Sequence, residues 1–119
     1  MLRIVCKSKI QPATVTGINL KYLGSIIVDE KLMQAADILP YEIVLIVNLN
    51  TGERFETYVI PGRKNSGIVA LQGGAARLGE VDDKLIIISY AFLEEKEAKK
   101  YKPKIVIVNH RNHLTKSLK

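Results

Sequence analysis

Short runs of β-branched residues recur along this chain, and turn residues interrupt each one before a long helix can form. Ile26-Ile27-Val28, Glu42–Asn48, Arg54–Ile60, Ile68–Leu71, Lys84–Phe92 and Ile105–Val108 all have this character. Branching at Cβ restricts χ1 and suits a pleated surface better than a helix. Between the runs stand Gly17 with Asn19, Leu49-Asn50-Thr51-Gly52-Glu53, Pro61-Gly62, Asn65-Ser66-Gly67 and Asp82-Asp83, which read as turns. Leu85-Ile86-Ile87-Ile88 does not alternate with polar residues, which predicts burial on both faces of its strand. A first strand is expected over Leu2–Cys6, continuing toward Ile10, and Thr14-Val15-Thr16 extends the β-rich region. One short helix is expected over Glu30–Ala36, where Asp29 can cap the free backbone N–H groups and Leu32, Met33 and Ala36 share a buried face. Pro40 stops it. Another is expected over Glu94–Lys100. Many short strands with few helices predict a small closed β-barrel.

The 119 residues suffice for a single domain with one core. No apolar run approaches the roughly 20 residues that cross a bilayer, so no membrane association is expected. Met1–Lys7 alternates apolar and charged residues, unlike a secretory signal, and the chain is expected in the cytoplasm. Cys6 is the only cysteine, so no internal disulfide can form. It reads as a small residue packed on a strand, with no histidine near it in sequence to make it a nucleophile.

The net charge of +6 raises the question of a nucleic-acid partner. Met1–Leu93 holds ten Lys/Arg against nine Asp/Glu, whereas the segment from Glu94 holds eight against three. The excess therefore clusters around Lys99, Lys100, Lys102 and Lys104. Tyr101 is the one aromatic there, too few for a base-stacking surface, so a solvated face is expected and no nucleic acid. His110 and His113 lack an acidic or thiol companion, and no metal site is expected.

Four elements carry chemistry. They are Tyr22-Leu23-Gly24-Ser25-Ile26 followed by Asp29, the strand Arg54-Phe55-Glu56-Thr57-Tyr58, the loop Gly73-Gly74-Ala75-Ala76-Arg77, and Lys9. Singly, each has a plain explanation. Gly24-Ser25 or Gly73-Gly74 makes a turn, and Lys9 or Arg54 is a surface charge. In this order and spacing, from the first strand to about Pro103, they resemble the pyruvoyl-dependent aspartate 1-decarboxylase family. Gln11 and Gln72 depart from its pattern, in which histidine and asparagine are common at these places.

The resemblance implies a single-domain, six-stranded, closed double-psi β-barrel with short helices. It implies a proenzyme that cuts itself between Gly24 and Ser25, leaving 1–24 as a β chain and 25–119 as an α chain; the resemblance does not extend to the tail, and 109–119 is expected to be flexible. The Ser25 hydroxyl would attack the Gly24 carbonyl, and elimination and hydrolysis would leave a pyruvoyl group at residue 25. Glycine at 24 would permit a strained backbone that a Cβ resists. Thr57 would assist this processing and contact the substrate. The pyruvoyl ketone would form a Schiff base with L-aspartate and act as electron sink, with no PLP and no metal. Tyr58 would donate the proton to the product carbon. Arg54 and Lys9 suit the two carboxylates of aspartate, the first as a planar fork and the second as a point charge. Backbone N–H groups at Gly73, Gly74 and Ala75 can cradle a carboxylate. Tyr22 and Gln72 are further candidates at the site. β-Alanine for pantothenate synthesis would be the product, made by a homotetramer with sites shared between subunits, and a maturation helper is not indicated. The rival expectations are a non-cleaving paralogue and a basic nucleic-acid-binding barrel. One tension stands: strict alternation puts Thr57 on the face opposite Arg54 and Tyr58. A local strand distortion, or a site between subunits, would resolve it.

Overall fold

The N-terminal residues form a longer strand than their alternation suggests. In the computed structural model of the chain, which describes residues 1–118 and side chains as far as Thr115, β1 runs over Leu2–Thr14. It accommodates Pro12 because its ladder with β7 (Lys84–Glu94) shifts register between Cys6 and Ser8 and again between Ile10 and Ala13. A residue without an N–H is tolerated where the ladder is already interrupted. The chain continues through β2 (Gly17–Asn19), β3 (Ser25–Asp29), α1 (Glu30–Ala35), β4 (Ile43–Asn48), β5 (Arg54–Gly62) and β6 (Val69–Gln72). A 3₁₀ turn (Gly73–Leu78) leads to β7, and α2 (Glu95–Ala98), β8 (Lys104–Val108) and β9 (Leu114–Leu118) follow.

Gly17 and Asn19, expected as a turn, instead form β2, which pairs parallel with β6. That pairing explains the architecture. The hydrogen-bonded strand order is β2-β6-β3-β5-β4-β7-β1-β8-β9, and no ladder among the described residues joins its two ends. The ladder is therefore open, unlike the closed barrel expected. The circuit is completed by the chain itself, because β2 continues β1 through Val15 and Thr16. Their N–H groups donate to Asp83 O at 2.9 Å and Val69 O at 2.7 Å, tying the link to both neighbours. With β1 and β2 taken as one strand, six strands surround the core in the order β1/β2, β6, β3, β5, β4, β7. β8 occupies the other edge of β1 over Ser8–Gln11.

Ile10, Ile26, Val44, Ile46, Val59 and Ile87 expose no surface and form the heart of the barrel. α1 plugs one end with Leu32 and Met33, and Asp29 caps it as expected, accepting from Lys31 N–H at 2.9 Å. The Leu85–Ile88 run differs from expectation. Leu85 and Ile87 are fully buried, but Ile86 and Ile88 face outward and are only half-buried. One chain covers one face of this strand.

Residues 109–118, in the segment expected as a tail, form a turn and β9; Lys119 lies outside the described residues. The anchor is Asn112, fully buried, whose side chain accepts from Thr14 N–H and donates to the carbonyls of Thr14 and Gly67.

Candidate active site

Ser25 opens β3, with no exposed surface. β3 lies between β5, with which it runs parallel, and β6, with which it runs antiparallel. Ser25 is opposite Gln72 in the second ladder, and its Oγ lies 3.4 Å from Gln72 Oε1, a long hydrogen bond. The residue after Gln72 is the tightest point of the site. Gly73 has φ +62°, and a Cβ there would meet Tyr22 O at 2.5 Å, Gly24 N at 2.6 Å and Gly24 Cα at 2.8 Å. Only glycine supplies both this backbone conformation and this close approach. Gly74 N is the nearest atom to where a Gly24 Cβ would stand, at 4.0 Å. Tyr22, Gly24, Ser25, Gln72, Gly73 and Gly74 are thus one cluster. Ala75 is buried in the 3₁₀ turn behind them.

Gly24 itself shows no steric demand for glycine. Its φ is not positive, and a Cβ would make only ordinary contact. The demand for glycine falls on Gly73. The Tyr22 ring is largely exposed, while its carbonyl packs on Gly73.

The β3–β5 ladder begins at Ile26 beside Val59, so Ser25 and Tyr58, each one residue earlier, start side by side. The β4–β5 ladder runs from Ile43–Tyr58 to Val47–Arg54 without a register shift. No strand distortion therefore reconciles Thr57 with its neighbours. Thr57 lies on the side of Phe55 and Val59, which pack on the core, while Arg54, Glu56 and Tyr58 face outward.

Arg54 and Lys9 stand apart from the Ser25 cluster. Arg54 is exposed at the far end of β5, roughly 13 Å from Tyr58 at the rise of a β-strand. Lys9, half-buried on β1, aligns with Ile88, Leu45 and Glu56 across the sheet. Three strand spacings separate it from β5, roughly 14 Å. Both cations lie on the outward face, interleaved with Leu45, Val47, Ile86 and Ile88, none of which is fully buried.

Two aromatic neighbours are added by the structure. Tyr90 faces outward beside Cys6; burial raises its phenol above the usual range, the Glu56 carboxylate adds to the rise, and Arg54 opposes it. Its place in the expected strand Lys84–Phe92, two residues beyond Ile88 and so on the same face, was the available signal. Tyr41 brings its ring to 6.3 Å from that of Tyr58, inclined by 37°. Nothing in the local sequence signalled that contact. Cys6 has its thiol pushed up by burial, with Lys9 partly opposing, and its Sγ donates to Ser8 O at 3.6 Å. His110 and His113 are exposed, and among the described residues no three His, Cys, Asp or Glu side chains gather as a metal site would need. No helix there is long and apolar enough to cross a membrane.

The family described as "Aspartate decarboxylase" matches residues 1–115. An "Aspartate 1-decarboxylase" of Carboxydothermus hydrogenoformans is 53% identical over 116 residues, covering 98% of this chain and 91% of that protein. Proteins of the same name from Kosmotoga olearia and Thermoanaerobacter pseudethanolicus are 56% and 52% identical, each over 94% of this chain and 96% of its own length. The chain belongs to the aspartate decarboxylase family.

Proposed function

We propose that this chain is an aspartate 1-decarboxylase that matures by cutting its own backbone between Gly24 and Ser25. Its product, β-alanine, would serve pantothenate and coenzyme A synthesis in the cytoplasm. The observation that carries the proposal is the placement of Ser25, a buried hydroxyl directly after Gly24, in a cluster closed by Gly73 pressing on the Gly24 backbone. The relatives of that name add support along nearly the whole chain.

In this proposal Ser25 Oγ attacks the Gly24 carbonyl carbon and converts the amide to an ester. β-Elimination then breaks the ester, releasing residues 1–24 with a C-terminal carboxylate and leaving dehydroalanine at residue 25, which water hydrolyses to a pyruvoyl group at the head of 25–119 with loss of ammonia. The Gln72 amide oxygen, 3.4 Å from Ser25 Oγ, orients the hydroxyl. Charge that develops on the former carbonyl oxygen needs donors, a role given to the nearby backbone N–H of Gly74 and to Thr57, which would have to turn from the core-facing side of β5 to supply it. The surroundings fit a small planar ketone, because the wall beside residue 25 is built from Gly73 and Gly74 and carries no Cβ. When formed, the group supplies the electron sink that PLP supplies elsewhere.

The remaining residues bind and protonate. Arg54 takes one substrate carboxylate as a bidentate partner, Lys9 offers a point charge to the other, and N–H groups of Gly73, Gly74 and Ala75 add donors. Tyr58 delivers a proton to the product carbon. Tyr22 borders the site.

A second copy of the chain is part of the proposal. Aspartate is far shorter than the roughly 13–14 Å that separate Arg54 and Lys9 from the Ser25–Tyr58 region within one chain. The outward face that bears both cations also carries the half-buried Leu45, Val47, Ile86 and Ile88, so its burial by a neighbour would join the two halves. The assembly proposed is a homotetramer with shared sites. Neither a nucleic acid, a membrane nor a maturation helper enters it.

Denaturing electrophoresis of the purified chain tests the proposal. Two fragments divided at Gly24/Ser25 are expected from the parent, and a single band with no β-alanine from Ser25→Ala. β-Alanine production by Ser25→Ala at the parent rate would sink it. A parent chain that stays whole on prolonged warming and binds nucleic acid in a steeply salt-sensitive way would favour the basic-barrel rival.

A further inference from the structure

The loop between α1 and β4 contains a conformation that needs explaining. Tyr41 has φ +70°, a region that bulky L residues rarely enter. Such strain persists where surrounding contacts over-determine it, and they do so here from two sides. Tyr41 N–H donates to Val59 O at 2.7 Å, and Val59 N–H donates to Glu42 O at 3.1 Å, which fastens the loop to β5. The Glu42 carboxylate accepts from Leu39 N–H at 3.1 Å and from the Lys7 ammonium at 2.9 Å, which fastens it to β1. Lys7 also donates to the Asp37 carbonyl. This ion pair is largely shielded, with side chains only 15% and 22% exposed.

What this fastening achieves is the approach of two rings. Within one chain Tyr41 remains 72% exposed, so burial of its ring by its own chain does not account for the strained backbone. Its placed contact is the tilted pairing with Tyr58, whose ring is half-buried at the end of the β4–β5 ladder. We infer that Tyr41 is a positioning residue for the Tyr58 phenol: its ring walls one side of Tyr58 and holds the hydroxyl in one orientation toward the reacting carbon. The inference rests on the proposed role of Tyr58 as proton donor and adds to it a part of the molecule that touches no substrate.

The test uses the full-length, matured protein and three variants. Tyr41→Asn removes the ring while remaining at ease at positive φ, so the loop keeps its course. It is expected to lower kcat roughly 3- to 10-fold, the equivalent of one aromatic pair. KM for aspartate should stay within about twofold, because ground-state binding is untouched. Cleavage at Gly24/Ser25 should reach the parent's extent, and Tyr41→Phe, which keeps the ring, should restore kcat. Tyr58→Phe separates the two ideas. If Tyr58→Phe is inactive and Tyr41→Asn turns over at the parent kcat, the positioning role is overturned and the proton donor stands. If Tyr58→Phe itself turns over normally, the donor role fails and the positioning role fails with it.

Discussion

Gly73 and Gly24 differ in what a methyl group would meet, and that difference makes the sharpest residue-scale expectation. Alanine at 73 would adopt φ +62° and drive its Cβ into the Tyr22 carbonyl and the Gly24 backbone. Strain and overpacking together should cost about 2–4 kcal/mol. Because the atoms displaced belong to the segment proposed to be cut, the fraction cleaved should fall as well, which a gel time course reads directly. Gly24→Ala meets nothing closer than 4.0 Å and should shift stability by under about 1 kcal/mol in a denaturant titration. Equal penalties at the two positions would contradict this assignment. Cys6 gives a second expectation. Burial holds its thiol above the usual range, so less thiolate is present at neutral pH than on an ordinary cysteine. Alkylation at pH 7 should be slow and should speed up as pH rises, and Cys6→Ala should decarboxylate at the parent rate.

At the scale of elements, Asp29 joins more than its helix. Its carboxylate accepts from Lys31 N–H at 2.9 Å, Asn65 N–H at 3.0 Å and Gly67 N–H at 2.9 Å, and the residue is 1% exposed. Asp29→Ala should therefore release the α1 N-terminus and the β5–β6 loop together, at a cost of about 2–4 kcal/mol measured by chemical denaturation. A loss no larger than a helix cap alone would mean that the loop is held by other contacts. The capping half of this role was legible in the sequence, since Asp29 precedes Glu30, Leu32 and Met33 at helical spacing; the loop half was not, because Asn65 and Gly67 are distant in sequence. The same division holds elsewhere. The β4–β5 hairpin, β7 and β8 followed from apolar runs and turn residues. β2 did not, because three residues beginning with glycine become a strand only through parallel pairing with β6. β9 did not either, since Asn112 anchors it by reaching back to Thr14. Within the candidate site, Ser25, Gly24, Gln72 and Gly73 were legible as a motif, and the structure brings them together. That Gly73, and not Gly24, bears the steric demand depends on a contact between segments that no local pattern reveals.

At the scale of the whole molecule, the unbroken run Leu85–Ile88 predicted two buried faces, and a single chain buries one. The mismatch agrees with a shared-site tetramer, in which the face that carries Ile86 and Ile88 together with Lys9 and Arg54 would be covered by a neighbour. Ile88→Glu places a charge on that face without disturbing Ile87 in the core. Sedimentation velocity should show it dissociated, and decarboxylation should fall to background while self-cleavage continues. Full turnover by a dissociated variant would mean that one chain holds a complete site. The central claim concerns a covalent change at residue 25, and mass spectrometry of the fragment that begins there addresses it most directly. A mass lighter by one ammonia than the same fragment with an N-terminal serine is expected, and hydroxylamine or borohydride should modify it as a ketone. A fragment beginning with an unaltered serine, or a chain that remains at the full 13.3 kDa, would contradict it.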